Sequence, residues 1–224
     1  AYGTTKSGDY KLGDTISLEL DANQSFSVKT NSRYNGIFDL SGSLIISNKP
    51  VGVISFHERT KIPQKGAQAG MDNLLEMQQP LSNWRNKFVS IDLGRDYGDF
   101  FRVLPIEDET NLTITSYKED GTIESKNSHT LNTGGGFYEY NNSEINRINL
   151  REEKGIMGNT IWEADKPILV TQYSYSYSWE QIDWSGSNDN IYDPFMLNLI
   201  NEEQFTKDVR FLAPPYGEFE THKV

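Results

Sequence analysis

Seven consecutive residues, Tyr173-Ser174-Tyr175-Ser176-Tyr177-Ser178-Trp179, alternate an aromatic ring with a hydroxyl or bring the run to its close. In an extended chain successive side chains point to opposite faces, so Tyr173, Tyr175, Tyr177 and Trp179 share one face and the serines the other. Such a row offers large, rigid contact area that stacks on sugar rings or anchors a protein partner. The competing role is structural, closing over a core or covering a sheet edge, since β proteins use tyrosine that way throughout. The polar loop that follows, Asp183-Trp184-Ser185-Gly186-Ser187-Asn188-Asp189-Asn190, adds Trp184 to the candidate surface and spaces oxygens around a glycine. Ca2+ takes about six to eight hard oxygen ligands, so Asp183 and Asp189 are candidate ligands and Ca2+ is the one cofactor the chain raises. The loop lacks the terminal bidentate Glu of an EF-hand, and an ordinary polar loop is the competing reading. His57-Glu58-Arg59 ends a predicted strand, where binding sites gather. A solvated strand end or a structural ion pair accounts for the same residues.

Catalytic chemistry has less to stand on. His57, His129 and His222 lie far apart and share no metal-ligand spacing with Asp, Glu or each other. Ser41-Gly42-Ser43 lacks the surroundings of a nucleophile elbow. No catalytic residue is assigned. The net charge of −11 and the pI near 4.8 argue against a nucleic-acid footprint, which needs clustered Lys and Arg. They also disfavour anionic membranes, and no apolar run reaches the length of a span, so direct membrane insertion is not expected. Cytosolic proteins usually keep a few cysteines and animal secreted proteins usually carry disulfides. A chain with no cysteine and 18 glycines, rich in Asn, Ser, Thr and Tyr, reads as an exported bacterial domain, secreted or on the cell surface. Ala1 opens no signal-peptide pattern, which predicts a processed chain or an internal fragment.

The elements that must position these residues read as strands. Ile16, Leu18 and Leu20 alternate with polar residues, Phe26 and Val28 continue the pattern, and Leu112 and Ile114 and then Ile148 and Leu150 repeat it. Short alternating runs bounded by Gly, Asn, Asp or Pro mark antiparallel strands with one wet face. Val51–Phe56 and Ile168–Tyr173 are more continuously apolar and are predicted to be central strands covered on both faces. Glu119-Asp120-Gly121 and Gly134-Gly135-Gly136 are turn signals. Helix is confined to Asp72 to Trp84, interrupted by Pro80, and Asp193 to Lys207, each opened by a capping Asp.

These segments expose an internal match. Asn48-Lys49-Pro50-Val51-Gly52-Val53 lines up with Asp165-Lys166-Pro167-Ile168-Leu169-Val170 at an offset of 117. Asp72-Asn73-Leu74-Leu75 lines up with Asp193-Pro194-Phe195-Met196 at 121, and Trp84 and Phe88 match Phe205 and Val209 at that same offset. The physical reading is two copies of one supersecondary unit buried against each other, with a first half over residues 1–120 and a second over 121–224. The second copy stops short of the first, so the natural protein is expected to run past Val224.

At these residues the chain resembles the N-terminal domain family of the IgG-Fc-binding protein and its bacterial relatives. The resemblance rests on Ala22-Asn23-Gln24-Ser25-Phe26, Asp39-Leu40-Ser41-Gly42-Ser43 and Lys49-Pro50-Val51 through His57. It continues over Asp72-Asn73-Leu74-Leu75-Glu76, Pro80-Leu81-Ser82-Asn83-Trp84 and Phe88-Val89, then Ala164-Asp165-Lys166-Pro167-Ile168-Leu169-Val170-Thr171-Gln172-Tyr173 and Asp193-Pro194-Phe195-Met196. It covers about Leu20 to Pro215. Animal members place a cysteine pair in the loop after the strand that ends at His57, and this chain has the cysteine-free stretch Glu58 to Gly70 instead.

The fold expected is all-β, an antiparallel β-sandwich-like architecture built from two related halves with little helix, a barrel or partial propeller being the runner-up. The function expected is extracellular recognition or adhesion within a larger surface protein, binding a protein or glycan without catalysis. The alternative is a structural spacer with no ligand. Exposure of the Tyr173–Trp179 row separates the two.

Overall fold

The computed structural model describes residues 13–29, 39–62, 71–94, 98–135, 137–140, 155–176 and 194–210. The chain divides into two units, Ala1–Leu40 and Ser41–Val224. In the first, a turn over Asp21–Gln24 is closed by Gln24 N–H donating to Asp21 O at 3.1 Å, while Asp21 N–H donates to Gln24 Oε1 at 2.9 Å. Asn23 takes a positive φ of 67° there, a conformation that Asn tolerates better than most residues. The flanking residues are extended, yet among the described residues they join no sheet.

The second unit is antiparallel throughout. Strands β1 (Ile54–Thr60) and β2 (Asp72–Met77) form a two-stranded sheet. A seven-stranded sheet holds β3 (Arg85–Ser90), β4 (Phe100–Pro105), β5 (Thr110–Tyr117), β6 (Ile123–Leu131), β7 (Tyr138–Tyr140), β8 (Asn159–Tyr173) and β9 (Met196–Asn198). Its spine is β8. Residues Thr160–Glu163 pair with both β3 and β5, and Thr171–Tyr173 with both β4 and β9. Ile168–Tyr173 is thus a central strand, as its apolar run predicts. Pro167 has no N–H for a ladder, and the β3 register slips beside it, between Lys87↔Glu163 and Arg85↔Ile168. Asp165 in that slip accepts from the Asn111 backbone N–H and the Asn111 side-chain amide, each at 2.8 Å.

The main core collects Phe88, Phe101, Val103, Leu112, Ile114, Trp162, Ile168 and Val170 from four strands. Burying one such side chain stabilises the fold by about 1.5–3 kcal/mol. Trp162, at 0% exposure, packs 4.6 Å from the Phe101 ring and donates through Nε1 to Ser90 Oγ at 3.1 Å. The indole therefore enters the core with its polar atom satisfied. The β5–β6 hairpin turns at Glu119-Asp120-Gly121, as expected. Gly121 sits at φ 80° and Asp120 Oδ1 accepts from Thr122 Oγ1 and Thr122 N; these hydrogen bonds, side chain first, hold the carboxyl below its usual range.

Three sequence expectations change. No α-helix occurs among the described residues. Asp72 to Trp84 splits into β2 and a 3-10 turn, Leu81–Asn83, and residues 194–207 hold β9 and a second 3-10 turn, Glu202–Gln204. Pro80 forces the first break, and strand pairing to β1 and β8 takes the apolar residues that a helix would otherwise have buried. The third change concerns Val51–Phe56, which is not central: Val51 is exposed and β1 pairs, among the described residues, with β2 alone. The matched residues also differ in environment, for Phe88 is buried whereas Val209 is exposed, and Trp84 is half-buried whereas Phe205 is exposed.

Their hydrogen-bond geometry is nevertheless shared. β1 on β2 pairs Ile54↔Met77, Ser55↔Glu76 and Phe56↔Leu75. β8 on β9 pairs Thr171↔Asn198, Gln172↔Leu197 and Tyr173↔Met196. Adding 117 to each β1 number and 121 to each β2 number converts the first set into the second. The bonds that follow each strand pair obey the same rule, Gln78 N–H to Val53 O at 2.8 Å and Leu199 N–H to Val170 O at 2.9 Å.

Candidate functional site

In β1 and β2 the protected side holds polar residues beside one buried apolar side chain, Leu74, while the larger apolar group faces outward. Ser55 and Glu76 face each other on the more protected side with Gln78, whose Nε2 donates to Ser55 Oγ at 2.6 Å and to Glu76 O at 3.3 Å. Ile54, Met77, Phe56 and Leu75 occupy the other side as two facing pairs, and all four are at least half exposed, Phe56 at 52%. Cross-strand apolar pairs contribute about 0.2–1 kcal/mol each, yet here most of their surface stays in water. A contiguous apolar face of this kind marks an interaction surface more often than a lone exposed residue does.

The face ends at His57-Glu58-Arg59. The register passes from His57↔Leu74 to Thr60↔Asp72, so Glu58 and Arg59 together oppose Asn73 in a bulge. All three side chains are exposed, and His57 Nδ1 accepts from the Arg59 backbone N–H at 3.2 Å. The bulge thus turns an imidazole, a carboxylate and a guanidinium to solvent at the rim of the apolar face.

The tyrosine row lies elsewhere in burial. Tyr173 and Tyr175, 8% and 1% exposed, join Leu74 and Phe100 in a second core cluster. Phe100 meets both rings edge-on, at 6.0 and 6.4 Å between centroids. The serines between them are buried too: Ser174 Oγ accepts from Phe195 N–H, Ser176 Oγ from Ile62 N–H, each at 2.8 Å. Both faces of Tyr173–Ser176 are therefore internal, and these two rings offer no stacking platform to a ligand. Tyr177, Trp179, Trp184 and the candidate calcium ligands Asp183 and Asp189 lie outside the described residues. Beside this cluster Asp99 is buried, with Gln172 Nε2 donating to its Oδ2 at 2.7 Å. Gly98 at φ 67° lets the chain pass close to Ile156 O, where a Cβ would stand at 2.5 Å. Arg102 is held on the same sheet by Glu139 at 2.8 Å and by the Phe137 ring at 4.1 Å, so its fork serves the fold.

The sequence singled out His57, Glu58 and Arg59 but missed the four apolar residues next to them. Continuous hydrophobicity over Val51–Phe56 reads as a buried strand, and the Leu74-Leu75 and Met77 signal reads as helix. The polar alternation Ser55, Glu76, Gln78 opposite them was the available clue.

No helix among the described residues is long and apolar enough to cross a membrane. No curated protein and no solved structure matches the chain. One family model, described as IgGFc binding protein, matches residues 2–224. That match spans nearly the whole chain, and it places this protein in the IgGFc-binding family.

Proposed function

We propose that this chain is an extracellular recognition domain that binds a protein partner through the outward face of β1 and β2, without catalysis. The carrying observation is the pair of facing apolar couples, Ile54 with Met77 and Phe56 with Leu75, left open on a sheet whose other side carries Ser55, Glu76 and the buried Leu74. Aromatic and aliphatic anchors in the middle with charged residues at the edge is the anatomy of a protein interface. His57, Glu58 and Arg59 supply that rim and its selectivity. The name of the family points to immunoglobulin Fc as the first protein to try.

Burial of Tyr173 and Tyr175 favours a second reading, a structural spacer with no ligand, because those rings serve the fold. Biolayer interferometry against IgG Fc and a protein array, with a glycan array alongside, separates the readings. The recognition reading expects a partner whose affinity drops at least about tenfold, or 1.4 kcal/mol, in Phe56→Ser with Leu75→Ser while the melting temperature holds. Retained affinity in that variant overturns the assigned face, and absence of any ligand on all three supports the spacer.

A further inference from the structure

The shared geometry of the two strand pairs runs on through the 3-10 turns. Asn83 N–H donates to Pro80 O and Trp84 N–H to Leu81 O; 121 residues later Gln204 N–H donates to Asn201 O and Phe205 N–H to Glu202 O, all between 2.8 and 3.1 Å. The two strand pairs also touch at equivalent positions. Asn198 Nδ2 donates to Met77 O at 3.0 Å, and residues 77 and 198 are counterparts under the same offset. Contact between a residue and its own counterpart is what a local two-fold axis produces.

Beyond the turns the symmetry is broken. After Trp84 the chain enters β3, which crosses to the other strand pair and pairs with β8 from Ser90↔Thr160 to Arg85↔Ile168. After Phe205, residues 206–210 pair with nothing among the described residues, and neither do residues 43–51, the counterpart of Thr160–Ile168. Both segments hold apolar side chains in water: Ile45 and Val209 are each 61% exposed, Ile46 is 84% exposed, and Leu44 and Val51 are exposed as well. The counterparts of Ile45, Val209 and Val51, namely Trp162, Phe88 and Ile168, are in the core, whereas those of Leu44 and Ile46, namely Ile161 and Glu163, are half-buried and exposed. The sequence carries the correspondence further, for Tyr97-Gly98-Asp99-Phe100 is echoed by Tyr216-Gly217-Glu218-Phe219.

We propose that Thr206–Arg210 closes on Ser43–Val51 of the same chain as an antiparallel strand, in the register of β3 on β8. Thr206 then stands opposite Val51, Asp208 opposite Ile46, Val209 opposite Ile45 and Arg210 opposite Leu44. A two-fold axis relating the two strand pairs, extended past the turns, would carry β3 onto Thr206–Arg210 and Thr160–Ile168 onto Ser43–Val51, so the second crossing belongs to the same molecule. Closure pairs two open backbone edges, a liability that folded β proteins cover, and it shields Ile45 and Val209 behind each other. It leaves the outward face of Ile54, Phe56, Leu75 and Met77 free, so it stands independently of the partner assigned to that face.

The chain has no cysteine, which makes cross-linking specific. Ile45→Cys with Val209→Cys replaces two exposed residues and places the thiols directly opposite; Leu44→Cys with Val209→Cys turns one thiol to the opposite face. Directly opposed residues have Cα atoms within disulfide reach. Under mild oxidation of the full chain the first pair should form an intramolecular disulfide at least about tenfold faster than the second, a factor of ten or more being what a fixed strand geometry gives over a flexible encounter. Amides of Leu44–Val51 in the unsubstituted chain should exchange at least about tenfold more slowly than in Val209→Pro, which cannot pair as a strand interior. Equal oxidation of the two thiol pairs, disulfide-linked dimers as the main product, or Leu44–Val51 amides that exchange as freely as in Val209→Pro would each overturn the proposal. Dimers would assign the edge to a second copy instead.

Discussion

β8 with β9 and β1 with β2 share one register and opposite surroundings. Tyr173 and Phe56 are counterparts, and their partners, Met196 and Leu75, lie 121 residues apart, yet Tyr173 is 8% exposed and Phe56 is 52% exposed. The difference comes from what lies on the other edge. β4 pairs with Ile168–Tyr173 and brings Phe100 against Tyr173, whereas no described strand takes that place beside β1. Backbone register is thus set locally, by a strand pair and the 3-10 turn that ends it, and burial is set by longer-range partners. A two-stranded sheet alone is marginal in water, so β1 and β2 are the part of the unit most dependent on something else to cover them.

The contrast can be broken from its buried side first. Trp162→Ala removes the largest side chain of the core and should cost about 3–5 kcal/mol, read as a fall in the denaturation midpoint with unchanged m-value. A loss below about 1 kcal/mol would mean that β8 is not the spine described. Next comes the turn after β9. Asn201 is buried, accepts from Glu203 N–H at 3.0 Å and donates through Nδ2 to Asn83 O at 3.0 Å, completing a capping box with Gln204. Asn201→Ala should cost about 1–2 kcal/mol, while Pro80→Ala at the counterpart position, where no side-chain cap exists, should change stability by no more than about 0.5 kcal/mol. Thermal melts of the two variants compare them directly.

The smallest effect is electrostatic. Asp108 accepts from Thr133 Oγ1 and then Thr133 N–H, and Asp165 from the Asn111 side chain and then its backbone; these bonds hold both carboxyls below the ordinary value of 3.8. Groups depressed in the folded state add stability that is complete above the unfolded value and fades as pH falls through it toward the folded one. Both sit at the surface, so the contribution is small. Melting followed from neutral pH down past the ordinary carboxyl value should show a shallower acid dependence in Asp165→Asn than in the unsubstituted chain. An equal slope would remove this carboxyl from the account.

Alternation made β5 legible over Leu112 and Ile114, and the turn at Glu119-Asp120-Gly121 followed from its own chemistry. The same alternation over Ile16 to Val28 forms no strand, and Ile148 and Leu150 lie outside the described residues. The sequence also aligned two segments, since Lys-Pro followed by an apolar run occurs at Lys49-Pro50 and Lys166-Pro167, and β1–β2 and β8–β9 share one register under that alignment. Asp72 to Trp84 misled because six-residue apolar stretches near an Asp fit a short helix and a strand equally well, and only the pairing with β1 decides between them. The candidate site was half legible. Charged residues at a strand end are visible in any sequence, whereas the exposure of Phe56 or the burial of Tyr175 depends on whether β4 or its absence lies alongside. No local pattern carries that information. Tyr173 and Tyr175 read as a recognition row by alternation alone, and Phe100 turned them inward.

Side-by-side chemical denaturation of Tyr173→Ala and Phe56→Ala tests the contrast most directly, since the two residues hold equivalent register positions. The account predicts a loss of about 3–4 kcal/mol for Tyr173→Ala, as for a buried aromatic, and less than about 1 kcal/mol for Phe56→Ala, as for a surface substitution. Equal losses for the two would contradict it, because they would mean that β1 is covered as fully as β8.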